Sequence, residues 1–182
     1  ANSAQSVYAL DVDRDGDMDV LSASFADDAI RWYENNPNDP NGWTEHNISL
    51  AADGAESVYA VDVDGDGDID VLSASANDDK IAWHKNNGSQ GWLGVTITTS
   101  ADGARDVYAA DLDSDGDMDV LSASYNDDKI AWYENDGNAS FTAHTISSTA
   151  DGAFSVYATD IDRDGDMDVV SAEYNDNTIA WY

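Results

Sequence analysis

An acidic motif of nine residues occurs four times in the chain and restricts its possible folds more than any other feature. In the second copy, residues 62–70, it reads DVDGDGDID, and the other copies begin at Asp11, Asp111 and Asp160. Five carboxylates this close together repel one another, so a folded chain must protonate them or bind a cation. We therefore predict four cation-binding loops.

The spacing of the motif favours calcium. Side chains at positions one, three, five and nine can turn toward one ion, and the backbone carbonyl of position seven can join them. Oxygen ligands in this number, on a flexible loop, suit Ca²⁺ better than Mg²⁺. Glycine at position six permits a sharp turn. An EF-hand would need glutamate at position twelve, where this chain has serine in every copy (Ser22, Ser73, Ser122 and Ser171).

The motif lies within a longer internal repeat. Repeats begin at Ala1, Ala52, Ala101 and Ala150, at intervals of 51, 49 and 49 residues. Each full repeat contains four short segments rich in β-branched and aromatic residues, separated by Gly, Asn and Asp. In the second repeat we predict strands over 58–61, 70–75, 80–85 and 92–98.

Four antiparallel strands that recur about every 50 residues are typical of β-propeller blades. We predict an all-β propeller of four-stranded antiparallel blades, about four in this chain, with the last lacking its outer strand. The chain is then a single domain, 1–182, made of repeats 1–51, 52–100, 101–149 and 150–182.

A tryptophan and an isoleucine recur two residues apart in the third strand of each repeat. Residues two apart on a strand share a face, so we expect these pairs to pack between blades. The pairs are Ile30 and Trp32, Ile81 and Trp83, Ile130 and Trp132, and Ile179 and Trp181.

The charge balance excludes whole classes of partner. With 38 acidic and 7 basic residues, the net charge is −31. Nucleic acids and anionic membranes would be repelled. There is no cysteine, and no apolar run is long enough to span a membrane, so we predict no nucleic-acid binding and no membrane insertion.

The pattern Val-Tyr-Ala-x-Asp-x-Asp-x-Asp-Gly-Asp-x-Asp-Val-Leu-Ser-Ala-Ser resembles the FG-GAP/VCBS repeats of bacterial secreted proteins. These are similar to the calcium-bearing blades of integrin α-subunit propellers. The resemblance implies about four Ca²⁺ ions, one bound between the first two strands of each repeat. The implied ligands are Asp11, Asp13, Asp15, Asp17 and Asp19; Asp62, Asp64, Asp66, Asp68 and Asp70; Asp111, Asp113, Asp115, Asp117 and Asp119; and Asp160, Asp162, Asp164, Asp166 and Asp168, the position-seven residue of each set through its carbonyl.

The resemblance and the calcium loops imply a secreted protein, extracellular or at the cell surface, whose leader has been removed or which belongs to a longer chain. Family members usually close with about seven blades. The chain could be part of a larger propeller, pair with a second copy into a ring of about eight blades, or close alone.

We predict a non-catalytic binding or adhesion module, since the histidines His46, His84 and His144 form no recurring catalytic set. A protein or glycan ligand is expected on the face opposite calcium, where acidic turns lie beside Phe25, Tyr125 and Tyr174. The alternative is a carbohydrate-binding, lectin-like module or the propeller part of a polysaccharide-degrading enzyme.

Overall fold

The computed structural model describes residues 1–88, 91–138 and 140–182, which form four antiparallel sheets. Within each sheet, neighbouring strands are consecutive in the sequence, as expected for blades whose strands are joined by hairpins. Blade one contains β1 (Ala4–Leu10), β2 (Asp19–Ser24), β3 (Ala29–Asn35) and β4 (Trp43–Ser49). Blade two contains β5 (Ala55–Val61), β6 (Asp70–Ser75), β7 (Lys80–Asn86) and β8 (Trp92–Thr98). Blade three contains β9 (Ala104–Ala110), β10 (Asp119–Ser124), β11 (Lys129–Asn135) and β12 (Phe141–Ser147), and blade four contains β13 (Ala153–Thr159), β14 (Asp168–Glu173) and β15 (Thr178–Trp181).

The predicted fold class is confirmed, including the three-stranded last blade. In the second repeat, β6 and β8 have the predicted bounds, whereas β5 begins three residues earlier and β7 ends one residue later than predicted. The helical content of the described residues is one 3₁₀ turn, Phe25–Asp27. No helix in this part of the chain has the length and apolar character needed to cross a membrane.

The blades stack through two different faces, which we name by their order in the chain. The trailing face of one blade packs against the leading face of the next, and the first strands β1, β5, β9 and β13 lie side by side. At the junction of blades one and two, Leu21 and Trp32 from the trailing face meet Val58 and Val71 from the leading face. The same positions meet at the other two junctions, so one interface is used three times.

The strand-three tryptophans pack between blades as predicted wherever a following blade is present. Trp32 and Trp83 are 1% exposed. Trp132 is partly buried against blade four, and Trp181, on the trailing face of blade four, is exposed.

A buried histidine distinguishes blade two from its neighbours. His84 of β7 takes the place of Tyr33 and Tyr133, and its Nε2 lies 3.0 Å from the hydroxyl of Ser73. In blade three the hydroxyl of Tyr133 makes the corresponding contact, 3.2 Å from Ser122. Burial, together with the charge of Lys80, lowers the pKa of His84 to about 4.

We expect His84→Tyr to reduce the sensitivity of the fold to mild acid. Because the pKa of His84 is lower in the folded chain than in the unfolded chain, protonation favours unfolding, and stability is lost as the pH falls from about 6.5 toward 4. Between pH 7.5 and 5.5, the free energy of unfolding of the wild type should fall by about 1 kcal/mol more than that of the variant. Urea unfolding of both proteins at equal free calcium measures this difference, and equal losses would contradict it.

Candidate functional site

Each acidic loop joins the first two strands of a blade and brings three carboxylates together. One oxygen from each member of a set lies within 4.8 Å of the others, so each set can hold a metal ion. Loops one to three gather positions one, three and five, whereas loop four gathers positions one, three and nine. The sets are Asp11, Asp13 and Asp15; Asp62, Asp64 and Asp66; Asp111, Asp113 and Asp115; and Asp160, Asp162 and Asp168.

Backbone N–H groups of the loop hold these carboxylates in place. In loop one, Asp11 accepts bonds from the N–H groups of Asp15 and Gly16 at 3.1 and 3.0 Å, and Asp15 accepts one from Asp17 at 2.9 Å. Gly16 has a φ of 99°, which a side chain would strain, in agreement with the predicted need for glycine at position six. Position four is also left-handed, with a φ of 61° at Arg14, and the glycine at this position in loop two, Gly65, was the one sign of it in the sequence.

In blades one to three, the position-nine carboxylate connects the loop to the third strand. Asp70 is buried and accepts bonds from the N–H groups of Val63 at 3.1 Å and Asn86 at 2.7 Å. Burial raises the pKa of Asp70 to about 6, although these bonds favour the charged form. Asp19 and Asp119 make the same pair of bonds in blades one and three. Metal ligation by position nine and by the position-seven carbonyl stays a prediction.

The charges of the loops suit a bound cation. Burial raises the pKa of Asp13, and the neighbouring carboxylates of Asp15 and Asp19 raise it further. In loop two, the Oδ1 atoms of Asp62 and Asp64 are buried without a hydrogen-bond partner. Buried carboxylate oxygens of this kind are costly unless a proton or cation compensates them. The donor set, all oxygen, fits a hard divalent ion.

Loop two already has a cation of its own. The ammonium group of Lys85 pairs with the carboxylate of Asp64 and lies 3.1 Å from that of Asp66. These bonds raise the pKa of Lys85, so the side chain is charged. Blades one and three have Glu34 and Glu134 at this position, and each pairs with a histidine at 2.7 Å. The sequence analysis treated the four loops as equivalent. Lysine at a position where blades one and three have glutamate could have indicated that loop two differs from the others.

On the opposite face, the acidic turn residues make contacts both within a repeat and between consecutive repeats. Asp28 accepts a bond from the N–H of Gly54 at 3.0 Å, and Asn77 donates to Asp53 at 2.9 Å. Asp27 pairs with Arg31 at 2.9 Å. The bond between repeats recurs at the next two junctions, and the contacts within a repeat recur in the later repeats, so these carboxylates already have partners in the fold.

The first strands of the four blades also form a cavity of about 230 Å³ on this face. The guanidinium of Arg105 pairs there with Glu56 and lies 5.9 Å from the ring of Phe154. Asp106 accepts bonds from the hydroxyls of Ser57 at 2.8 Å and Ser155 at 2.7 Å. At the first of the two lining positions the residue differs in every repeat, and at the second Asp106 replaces the serine of the other three repeats; sequence reasoning did not select either position.

Three overlapping segments of the sequence, 11–73, 62–122 and 111–171, match the FG-GAP-like repeat. The chain belongs to the FG-GAP-like repeat family. The matched segments together include all four acidic loops, which confirms the predicted resemblance. Among curated proteins, none matches the sequence.

Solved structures with the same fold include two lectins and a matrix protein. A lectin of Agrocybe aegerita that recognises non-reducing terminal N-acetylglucosamine has 16% identity and a TM-score of 0.61, over 92% of this chain and 47% of the lectin. The biofilm matrix protein Bap1 of V. cholerae has 19% identity and a TM-score of 0.62, over 97% of this chain and 26% of Bap1. The Aleuria aurantia lectin, solved with α-methyl-L-fucoside, has 17% identity and a TM-score of 0.57, over 99% of this chain and 62% of the lectin. The chain thus spans less than two thirds of each of these proteins.

We expect Lys85→Met to strengthen divalent-ion binding at loop two by roughly tenfold. In the wild type an incoming ion must displace the ammonium group of Lys85 from its two carboxylates. Each exposed ion pair broken in this way costs up to about 1 kcal/mol of binding free energy, and the variant has none to break. Lys129→Met is the matched control, because Lys129 pairs with Asp127 on the opposite face and loses the same charge. Calorimetric titration of both variants with Ca²⁺ tests this, and equal affinities would contradict it.

Proposed function

We propose that the chain is a calcium-stabilised, non-catalytic binding module that acts outside the cell. The observation that carries this proposal is the set of four carboxylate clusters, one per repeat, whose oxygens lie within 4.8 Å of one another. Ca²⁺ accepts several oxygen ligands in flexible geometry, and extracellular modules of low affinity are saturated by millimolar calcium. The V. cholerae matrix protein, a fold neighbour, supports an extracellular setting.

The environments of the histidines support a role without catalysis. His46 and His144 stack on Trp32 and Trp132, with ring centroids 4.4 and 4.6 Å apart, and pair with glutamates. His84 is buried beside Ser73. All three therefore have a structural role in packing and hydrogen bonding.

Removal of calcium should lower the melting temperature sharply. A site saturated a hundredfold above its Kd adds about 2.7 kcal/mol to the free energy of unfolding, and the four loops contribute separately. Thermal unfolding with EDTA, with excess Ca²⁺ and with excess Mg²⁺ measures the effect, and only Ca²⁺ should restore the melting temperature fully. An identical melting curve in EDTA and in calcium would contradict structural calcium.

The second candidate function is carbohydrate binding. The observation in its favour is the cavity between the first strands. Phe154, 48% exposed, offers an aromatic surface, while Glu56, Arg105 and Asp106 supply acceptors and donors for hydroxyl groups. Small-molecule sites combine apolar surface with a few placed polar groups in this way. Both lectins among the fold neighbours bind sugars, which supports the assignment by analogy.

We expect Phe154→Ala to weaken glycan binding at least tenfold on a glycan array read in the presence of calcium. The loss of an exposed ring should change the free energy of unfolding by no more than about 0.5 kcal/mol. Leu93→Ala, an exposed apolar truncation on β8, is the control and should bind like the wild type. An array with no bound glycan would count against the carbohydrate and leave a protein ligand as the partner.

A further inference from the structure

Blades one, two and three differ in the size of one pair of facing residues, which joins the third strand to the fourth. The pairs are Tyr33 with Glu45 in blade one, His84 with Gly94 in blade two, and Tyr133 with Ala143 in blade three. Blade two therefore has an imidazole ring where the other two have a phenol ring, and no side chain where they have one.

A cavity of about 250 Å³ lies at this position, between blade two and the outer strand of blade one. Its wall is largely aliphatic and includes the buried residues Ile48, Ala52 and Ala82. Gly94 is exposed and forms part of the opening. A Cβ added to Gly94 would come no closer than 4.0 Å to its nearest neighbour, Nδ1 of His84, so the space above the glycine is open to a ligand.

The side chain of His84 supplies an unused hydrogen-bonding atom to this cavity. The residue is 5% exposed, and its Nε2 already contacts the hydroxyl of Ser73. Its Nδ1 lies beside Gly94 and has no hydrogen-bond partner among the residues that the structure describes. An unpaired polar atom on a buried side chain is costly, so a ligand that pairs with Nδ1 would be favoured.

The charges around the cavity favour a neutral ligand. Burial, together with the charge of Lys80, lowers the pKa of His84 to about 4, so the imidazole is uncharged at neutral pH. The ammonium group of Lys80, which also lines the cavity, pairs with Asp78 and donates to the carbonyl of Ala51 at 3.0 Å. The net charge of −31 would repel an anion.

An aromatic ring with one hydroxyl group fits these features better than a sugar does. An apolar cavity of about 150 Å³ can bind benzene, so this cavity has room for a ring that carries a hydroxyl group. A hydroxyl group can donate or accept, and it can therefore pair with Nδ1 in either tautomer of His84. A sugar would place several hydroxyl groups against the aliphatic wall, where they would lose their bonds to water.

The junction of blades two and three shows how the fold itself holds a phenol ring at this position. Tyr133 is 3% exposed there and packs in the same core cluster as Trp83 and Ala131. Its hydroxyl lies 3.2 Å from that of Ser122. At the junction of blades one and two, the smaller His84 leaves this phenol ring to be supplied by a ligand.

We propose that the cavity between blades one and two binds a small neutral phenol. The ring packs against Ile48, Ala52 and Ala82, and the hydroxyl group pairs with Nδ1 of His84. This site is separate from the acidic loops and from the cavity near Arg105, so it does not depend on what those bind.

Fluorine NMR of para-fluorophenol, recorded with the whole chain and calcium, tests the proposal. We expect saturable broadening of the ligand signal. Fluorobenzene should bind about tenfold more weakly or worse, because it leaves Nδ1 of His84 unpaired. Gly94→Ala and His84→Tyr should each weaken phenol binding by about tenfold or more, since both narrow the cavity.

Both variants are expected to fold. A methyl group at position 94 makes an ordinary contact, and a tyrosine at position 84 copies blade three. Leu93→Ala is the matched control, because Leu93 is exposed on the other face of β8 and should bind phenol like the wild type. No broadening with the wild type, or unchanged binding by Gly94→Ala and His84→Tyr, would overturn the proposal.

Transfer of the facing pair to blade three is a second test. There Ile97, Ala101 and Ala131 correspond to the wall residues of the cavity. Tyr133→His combined with Ala143→Gly should therefore create a second phenol site of similar affinity, and circular dichroism verifies that this variant folds. A folded double variant with a single site would show that the facing pair does not make the site.

Competition experiments identify the source of the ring. Displacement of para-fluorophenol by N-acetyltyrosinamide would assign the ring to a tyrosine side chain of a partner protein, and failure to displace it would assign a free phenol. Methyl glucoside should not compete. Displacement by methyl glucoside would overturn the phenol and make this cavity a sugar site, whereas glycan binding lost only in Phe154→Ala leaves the phenol site unaffected.

Discussion

In blades one to three, a buried carboxylate connects the acidic loop to the third strand, and the blade depends on it. Asp70 accepts the N–H of Val63 at one end of the loop and that of Asn86 at the end of β7. Without it, two buried donors would lose their acceptor, at a cost of about 1–3 kcal/mol each. The contact fixes where the loop leaves the sheet, and thereby sets the positions of the other carboxylates that can meet around an ion.

The sheet architecture could be predicted from the sequence because the period and the strand residues agree with one another. The spacing of 49 to 51 residues, together with the apolar alternation, is sufficient to define four strands per blade and to place the tryptophans between blades. Strand ends were predicted less accurately: β5 begins at Ala55 and not at Val58, because Ala55 pairs with Ser75 across a register shift that alternation does not show.

The candidate site was predicted less completely, since its details depend on contacts between residues distant in the sequence. The meeting of Lys85 with Asp64 and Asp66 requires the third strand to pass beside the loop. The cavity near Arg105 requires four first strands to converge, and no single repeat encodes it. By contrast, the clustering of positions one, three and five in loops one to three is local and follows from the motif itself.

The use of one interface at every junction has an evolutionary consequence. Each blade carries a leading face and a trailing face that fit those of any other blade in the array, as Leu21 against Val58 and Leu72 against Val107 illustrate. Duplication of a single repeat in the gene therefore adds a blade together with a matching neighbour contact, and no compensating substitution is needed. Substitutions in a single repeat, such as those around Arg105, can then accumulate without disturbing this modular growth.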